Sequence, residues 1–186
     1  MECTDAGREP GWWALTGTPG TGKSSVARAL PPQVLSVELR DLASGLSVDP
    51  PGKGPVEVDL GKLSAWMRRH PPPAPVLVAG YLSHRLPIDR VVVLRCHPAT
   101  LEERLRRRHG RARELRENVQ CEALDTIAGE ARRGPRRTWE FDTTYSTTIE
   151  VAERVRRLME TGQGSTDQLD WLADPGVPPL LLRLRG

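Results

Sequence analysis

Lysine is almost missing from this sequence. Of its 27 lysine and arginine residues only Lys23, Lys53 and Lys62 are lysine. Biased codon usage is one explanation. Another is that a compact ammonium at Lys23 suits a phosphate better than a planar guanidinium fork does. Cysteine is scarce too. Cys3, Cys96 and Cys121 are scattered, with no C-x-x-C and no metal-ligand spacing. That excludes a disulfide framework and points to reduced thiols in a reducing compartment. His97 beside Cys96 reads as incidental rather than as a ligand pair. The first residues carry Glu2 and Asp5 and no apolar h-region, so no secretory signal is expected. The longest apolar runs, such as 75–79 and 91–94, are far too short to span a bilayer. These absences predict a cytoplasmic protein with no membrane partner. No internal repeat is present. No Asn-Lys-x-Asp occurs either, which removes the guanine-reading element of a GTPase.

What is present suits a single domain of ordinary size. The chain has 186 residues, 38% hydrophobic and 27% charged, with a formal net charge of +3. That is long enough for a three-layer core. The modest positive charge favours polyanionic partners, nucleotides and RNA among them, and gives no reason to expect DNA.

One stretch organises the rest. Residues 17–24 fit G-x-x-x-x-G-K-[ST], the phosphate-binding loop. The apolar run Trp12 to Leu15 before it reads as a buried strand, and Val26, Ala27 and Leu30 after it have helical spacing. Strand, glycine loop and helix are the setting such a loop requires. Gly17, Gly20 and Gly22 let the backbone bend around an anion so that successive N–H groups face it, at the positive end of the next helix. Lys23 supplies a mobile charge for the outer phosphates of a nucleotide, and Ser24 a hydroxyl for Mg²⁺.

Four further strands are predicted: 34–37, 76–79, 91–94 and 138–142. Two of them are continuous apolar runs of the kind buried on both faces of a parallel sheet. Helical spacing predicts helices over 38–46, 60–69, from Pro98 onward, over 113–132, and from a capping box at Thr147 and Glu150. The expected fold is α/β: a three-layer P-loop fold with about five parallel strands flanked by helices. Residues 1–11 read as a flexible lead-in, 47–55 as an exposed Pro/Gly-rich loop, 56–59 as extended. The domain itself spans 12–161. Residues 162–186 read as a hinge, centred on 162–165, and an apolar tail able to dock.

Several of these stretches, taken in order, resemble the small archaeal adenylate kinase family, whose eukaryotic relatives act in small ribosomal subunit assembly. They are 16–25, 41–43, 56–59, 82–84, 91–95, 101–105, Arg108, 117–122 and 141–144. The resemblance covers about residues 12–160. It implies ATP plus AMP giving two ADP, with Mg²⁺. It carries over Gly20, Gly22, Lys23, Ser24 and Ser25 as ATP-binding, Arg108 as a nucleotide-contacting lid arginine, and Lys23 with Arg108 as catalytic. It also implies a monophosphate-binding region near 37–60, a short lid near 107–117, and a small-subunit ribosomal protein or rRNA as a further partner. The residues themselves support the arginines in part. Arg104 and Arg108 are four apart on one helical face, and guanidinium forks suit phosphoryl oxygens, although a solvated basic face has the same pattern.

One departure stands out. The family carries an acid at the end of the third strand and a histidine two residues on; here those positions are Ala79 and Tyr81. The acid helps hold Mg²⁺, as a Walker-B Asp does. Water as nucleophile benefits from a positioning group, whereas AMP phosphate is already an anion. Transfer to AMP is therefore expected to survive better than ATP hydrolysis. His84 reads as structural, Asp41 and Asp59 as able to replace some acidic function or simply to cap, and Trp66, Trp139 and Trp171 as core or interface residues. Two alternatives remain: an ATPase-type ribosome assembly factor with little kinase activity, suggested by the basic clusters at 104–116 and 132–137, and a kinase for an alcohol, for which no extra base is evident.

Overall fold

The structure, a computed structural model, describes residues 11–45, 58–108 and 111–184. The lead-in through residue 10, the loop 47–55, the start of the extended stretch at 56–57 and the expected break at Gly110 lie outside the described residues.

Five strands form one parallel sheet: β1 (Trp12–Thr16), β2 (Leu35–Glu38), β3 (Val76–Ala79), β4 (Arg90–Arg95) and β5 (Arg137–Asp142). Their order is β2-β3-β1-β4-β5. The three inner strands are apolar on both faces because helices cover both. On one face α1 (Lys23–Ala29) and α7 (Thr148–Thr161) pack over Leu15, Leu77, Val92 and Phe141, with Trp13 and Trp139 stacked 5.9 Å apart. On the other, α2 (Leu39–Ser44), α3 (Leu60–Arg69) and α6 (Thr126–Arg132) cover Ala14, Val78, Val91 and Val93. A layer beyond β4 holds α4 (Pro98–Arg107), α5 (Ala112–Ala123) and α8 (Val177–Arg183) around Cys96, Leu101 and Val119.

Three local differences from the sequence reading bear on the site. β2 starts one residue later than expected and ends on Glu38, which helical spacing had assigned to the following helix. The single helix expected over 113–132 is two, α5 and α6. They break at Asp125, which takes a left-handed φ of 54°, tolerated by aspartate more readily than by most residues. Its carboxylate is held by Arg95 and Arg132, which fixes the bend.

The third lies past α7. Residues 164–167 run along the outer edge of β5. Trp139 donates its indole N–H to the Gly164 carbonyl at 3.2 Å, the Glu140 backbone N–H meets the Thr166 hydroxyl at 2.8 Å, and the Asp167 N–H donates to the Glu140 carbonyl at 2.9 Å. Arg154 closes on both Asp167 oxygens at 2.8 Å. The stretch thus covers a sheet edge that would otherwise expose unpaired backbone groups. Beyond it, Trp171 and α8 dock on α4 and α5. Among the described residues no helix is long and apolar enough to cross a membrane.

Candidate active site

The loop after β1 sits where the sheet divides, with β3 on one side of β1 and β4 on the other. An open parallel sheet leaves its crevice at this switch point. Gly17 shows why glycine is needed: with φ at 135°, a Cβ there would stand 2.3 Å from the Leu94 carbonyl oxygen. The backbone N–H and hydroxyl of Thr21 both reach the Thr18 carbonyl, at 3.2 and 2.9 Å, and close the loop. Gly22 then caps α1, whose first residues are Lys23, Ser24 and Ser25.

Lys23 lies folded over the loop. Its ammonium donates to the Gly17 carbonyl at 2.7 Å and the Thr18 carbonyl at 3.0 Å. Loss of solvent pushes its pKa down to about 8, against the pull of the nearby Glu122 and Glu38 carboxylates and with a push from Arg108. Charges of both signs around the loop are therefore felt at one ammonium.

From behind, the loop is anchored by a buried carboxylate. The Thr18 hydroxyl donates to Glu122 Oε2 at 2.5 Å. Glu122 Oε1 accepts from Arg95 Nε at 2.8 Å, from the Cys96 backbone N–H at 3.1 Å and from the Trp171 indole at 3.1 Å. Arg95, equally buried, also pairs with Asp125 and Glu140 and faces the Trp171 ring at 5.8 Å. Buried ions repay their lost hydration only when every group is partnered, and here each carboxylate oxygen has a donor. Burial pushes the neighbouring Cys96 thiol up to about 12, so it stays protonated.

Two cavities flank the loop. The larger, about 510 Å³, is lined by Lys23, Ser24, Glu38, Ala79, Tyr81 and Arg108 among others. The smaller, about 230 Å³, lies against Thr21, Arg104, Thr143 and Ser146. Gly20, Gly22, Ser25 and Arg108 line both. All six sequence-selected residues (Gly20, Gly22, Lys23, Ser24, Ser25 and Arg108) thus fall on these two cavities. Arg108 is exposed at the end of α4, and its guanidinium makes no hydrogen bond or ion pair among the described residues. Arg104 does not share that freedom: its guanidinium holds the Thr143 carbonyl at 2.6 Å and the Thr144 carbonyl at 3.3 Å. The Thr143 hydroxyl in turn lies 3.1 Å from the Thr21 carbonyl, so Arg104 braces the far wall of the smaller cavity.

His84 is structural, as its position suggested. It is buried, with Nδ1 2.9 Å from the Thr16 hydroxyl and Nε2 3.0 Å from Glu130, and burial lowers its pKa. Tyr81 reaches the larger cavity, and burial raises its phenol pKa, which keeps it a neutral donor. Asp59 caps α3 through the Lys62 N–H at 3.0 Å.

Among the described residues no three His, Cys, Asp or Glu side chains gather as a metal cage. The oxygen donors beside Lys23 in the larger cavity include the Ser24 hydroxyl and the Glu38 carboxylate. That donor set fits Mg²⁺, which is commonly bound by substrate phosphates, water and one or two protein oxygens.

Comparison with known proteins places the chain in a family. A protein of Pyrococcus abyssi named "Putative adenylate kinase" is 37% identical over 178 residues, covering 91% of this chain and 97% of its own. One of the same name from Archaeoglobus fulgidus is 37% identical over 169 residues, covering 87% and 92%. The chain belongs to this archaeal adenylate kinase-named family. A family model described as an AAA domain also matches residues 14–125. In fold, the family member described here is similar to shikimate kinase from Acinetobacter baumannii, with a TM-score of 0.53 at 16% identity over 81% of this chain and 93% of that one.

Sequence reading missed two acids of the site. Glu122 appeared only inside the matching stretch 117–122, because its partners Thr18, Arg95 and Trp171 are far away in the chain. Glu38 was absorbed into a helix. The tail had been read as apolar and able to dock, with no indication that its indole would end on Glu122.

Proposed function

We propose that this chain is an ATP:AMP phosphotransferase, forming two ADP with Mg²⁺. The observation that carries the reading is the pair of cavities meeting across one phosphate-type loop, with Arg108 on both. Two nucleotides entering from opposite sides would bring their phosphates together over Gly20 to Ser25, under a guanidinium free to bind transferring oxygens. The smaller cavity, against the loop after β5, suits the ATP base side; the larger, toward β2 and α2, suits AMP.

On this reading the loop N–H groups and Lys23 bind the ATP phosphates. Lys23 leaves the Gly17 and Thr18 carbonyls to do so. Ser24 would help hold the metal that ATP carries, which would neutralise phosphate charge when bound. Arg108 orients the two phosphoryl ends. No base is needed, because the acceptor is already an anion.

A part in small-subunit rRNA maturation rests on the family resemblance, and action as an ATPase-type assembly factor with little kinase activity on the basic clusters at 104–116 and 132–137 as well. The basic clusters lend it less than their sequence suggested. Arg104, Arg106, Arg113 and Arg132 are engaged within the chain. ADP formation from ATP and AMP, measured beside phosphate release from ATP alone, tests the proposal. ADP formation that needs both AMP and Lys23, and is lost in Lys23→Ala, is expected. ATP binding with neither reaction would refute it and favour the assembly-factor reading.

A further inference from the structure

The end of β3 is where a P-loop protein ordinarily presents an acid toward the nucleotide's metal, and this chain has Ala79 there. The neighbouring strand offers a substitute. β2 pairs with β3 in parallel, and the residue in register with Ala79 is Glu38. Adjacent strands lie about 4.8 Å apart, and registered residues share a face of the pleat. That face is the α1 side: Ala79 packs in the cluster with Val26 and Ala27 of α1, and Ser36, two residues before Glu38 on β2, reaches the Ala27 carbonyl at 3.3 Å. Glu38 therefore leaves its strand toward the start of α1, where Lys23 and Ser24 stand.

Three further facts fit. Glu38 and Ala79 line the same cavity as Ser24. Although Glu38 stands at the N-terminus of α2, its side chain makes no capping hydrogen bond. That side chain has no hydrogen bond or ion pair among the described residues, so its carboxylate is not committed to the fold. Glutamate is also one methylene longer than aspartate, which helps it span from the next strand.

We propose that Glu38 supplies, from β2, the carboxylate toward the nucleotide-borne Mg²⁺ that position 79 lacks. The inference rests on the nucleotide-binding reading above and goes beyond it by relocating an acid across the sheet. Ala79 is then a relocation of the acid rather than its loss. Glu38 would act on the metal or on its water shell together with Ser24, which lines the same cavity.

The test measures metal affinity rather than turnover. Free Mn²⁺ is followed by electron paramagnetic resonance in the presence of the purified chain and ATP, for wild type, Glu38→Gln, Glu38→Asp and the double variant Glu38→Gln/Ala79→Asp. ATP affinity in EDTA is measured in parallel. Glu38→Gln is expected to weaken Mn²⁺ in the ternary complex by about 10–100-fold, the usual cost of removing a group that supports a bound metal, with metal-free ATP affinity little changed. Glu38→Asp should retain part of the affinity, and Ala79→Asp should restore part of it in the double variant. Unchanged Mn²⁺ affinity in Glu38→Gln, with ATP still binding, would overturn the inference and leave the nucleotide reading intact. So would tighter metal-free ATP binding with no change in the metal step, since Glu38 would then be only a counter-charge to Lys23. Failure of the wild type to bind ATP would overturn the nucleotide reading, and this inference with it.

Discussion

Binding of metal-free ATP should weaken as pH rises through about 8, and Lys23 should be the cause. In the free chain, loss of solvent around the ammonium brings its pKa down to about 8. About nine-tenths of Lys23 is then charged at pH 7 and about one-tenth at pH 9. A bound triphosphate surrounds the ammonium with negative charge and raises its pKa again. A group whose pKa is raised by a ligand favours binding below its free value and loses that advantage above it. Between pH 7 and pH 9 the association constant should therefore fall about tenfold, ~1.4 kcal/mol. At pH 8 each ATP bound should take up about half a proton. Titration calorimetry in EDTA, repeated in buffers of different ionisation enthalpy, reads both quantities. Lys23→Arg is the control, because a guanidinium stays charged throughout this range and should show a flat profile. A flat profile in the wild type, or an equal decline in Lys23→Arg, would refute the assignment.

Other consequences follow from particular contacts. Glu122→Ala removes a buried carboxylate from Arg95, Trp171 and Thr18; it should cost about 3–5 kcal/mol, read as a fall of roughly 10 °C in melting temperature, and a loss below about 1 kcal/mol would contradict the network. Trp171→Ala should lower stability by about 3–5 kcal/mol, measured by urea unfolding, and a midpoint near that of the wild type would show that the indole is dispensable. Gly17→Ala and Gly22→Ala should differ sharply. The first drives a methyl into the Leu94 carbonyl, whereas the second meets nothing within 4 Å and is strained only through its φ of 101°. Loss of ATP binding is expected for the first and a cost of about 1–2 kcal/mol for the second. In the Glu38→Gln background, Ala79→Asp should raise ATP hydrolysis more than transfer to AMP; equal changes in the two rates would oppose the idea that water, more than AMP, needs the acid.

The sheet was legible because its inner strands are unbroken apolar runs and its first loop has a fixed spacing. Residues 12–24 declare themselves through local chemistry, and the capping box at Thr147 and Glu150 does the same for α7. The less visible features depend on distant partners. Nothing near Asp125 resembles a helix break, since neither Gly nor Pro stands there; the bend is held by Arg95 and Arg132, contributed by β4 and α6. Glu122 looks like one acid in a charged helix until Thr18, Arg95 and Trp171 converge on it. Glu38 was lost to a shift of one residue at a strand end, where a short apolar run and a short helix meet without punctuation. Its relation to Ala79 exists only in the register of two strands separated by about forty residues of chain. Arg104 and Arg108 share a helical face in the sequence, yet one is bound to the loop after β5 and the other is free in the cavities, a difference that periodicity does not encode.

The Trp171–Glu122–Thr18 linkage also sets an order on the life of the chain. In order of synthesis the phosphate-type loop precedes one of its supports, an indole made some 150 residues later. A nascent chain long enough to display residues 12–30 outside the ribosome would still have Glu122 without its full set of donors, and until the tail arrives the apolar faces of α4 and α5 would stand bare. On the nucleotide-binding reading, competence to hold ATP should then appear late and abruptly during synthesis.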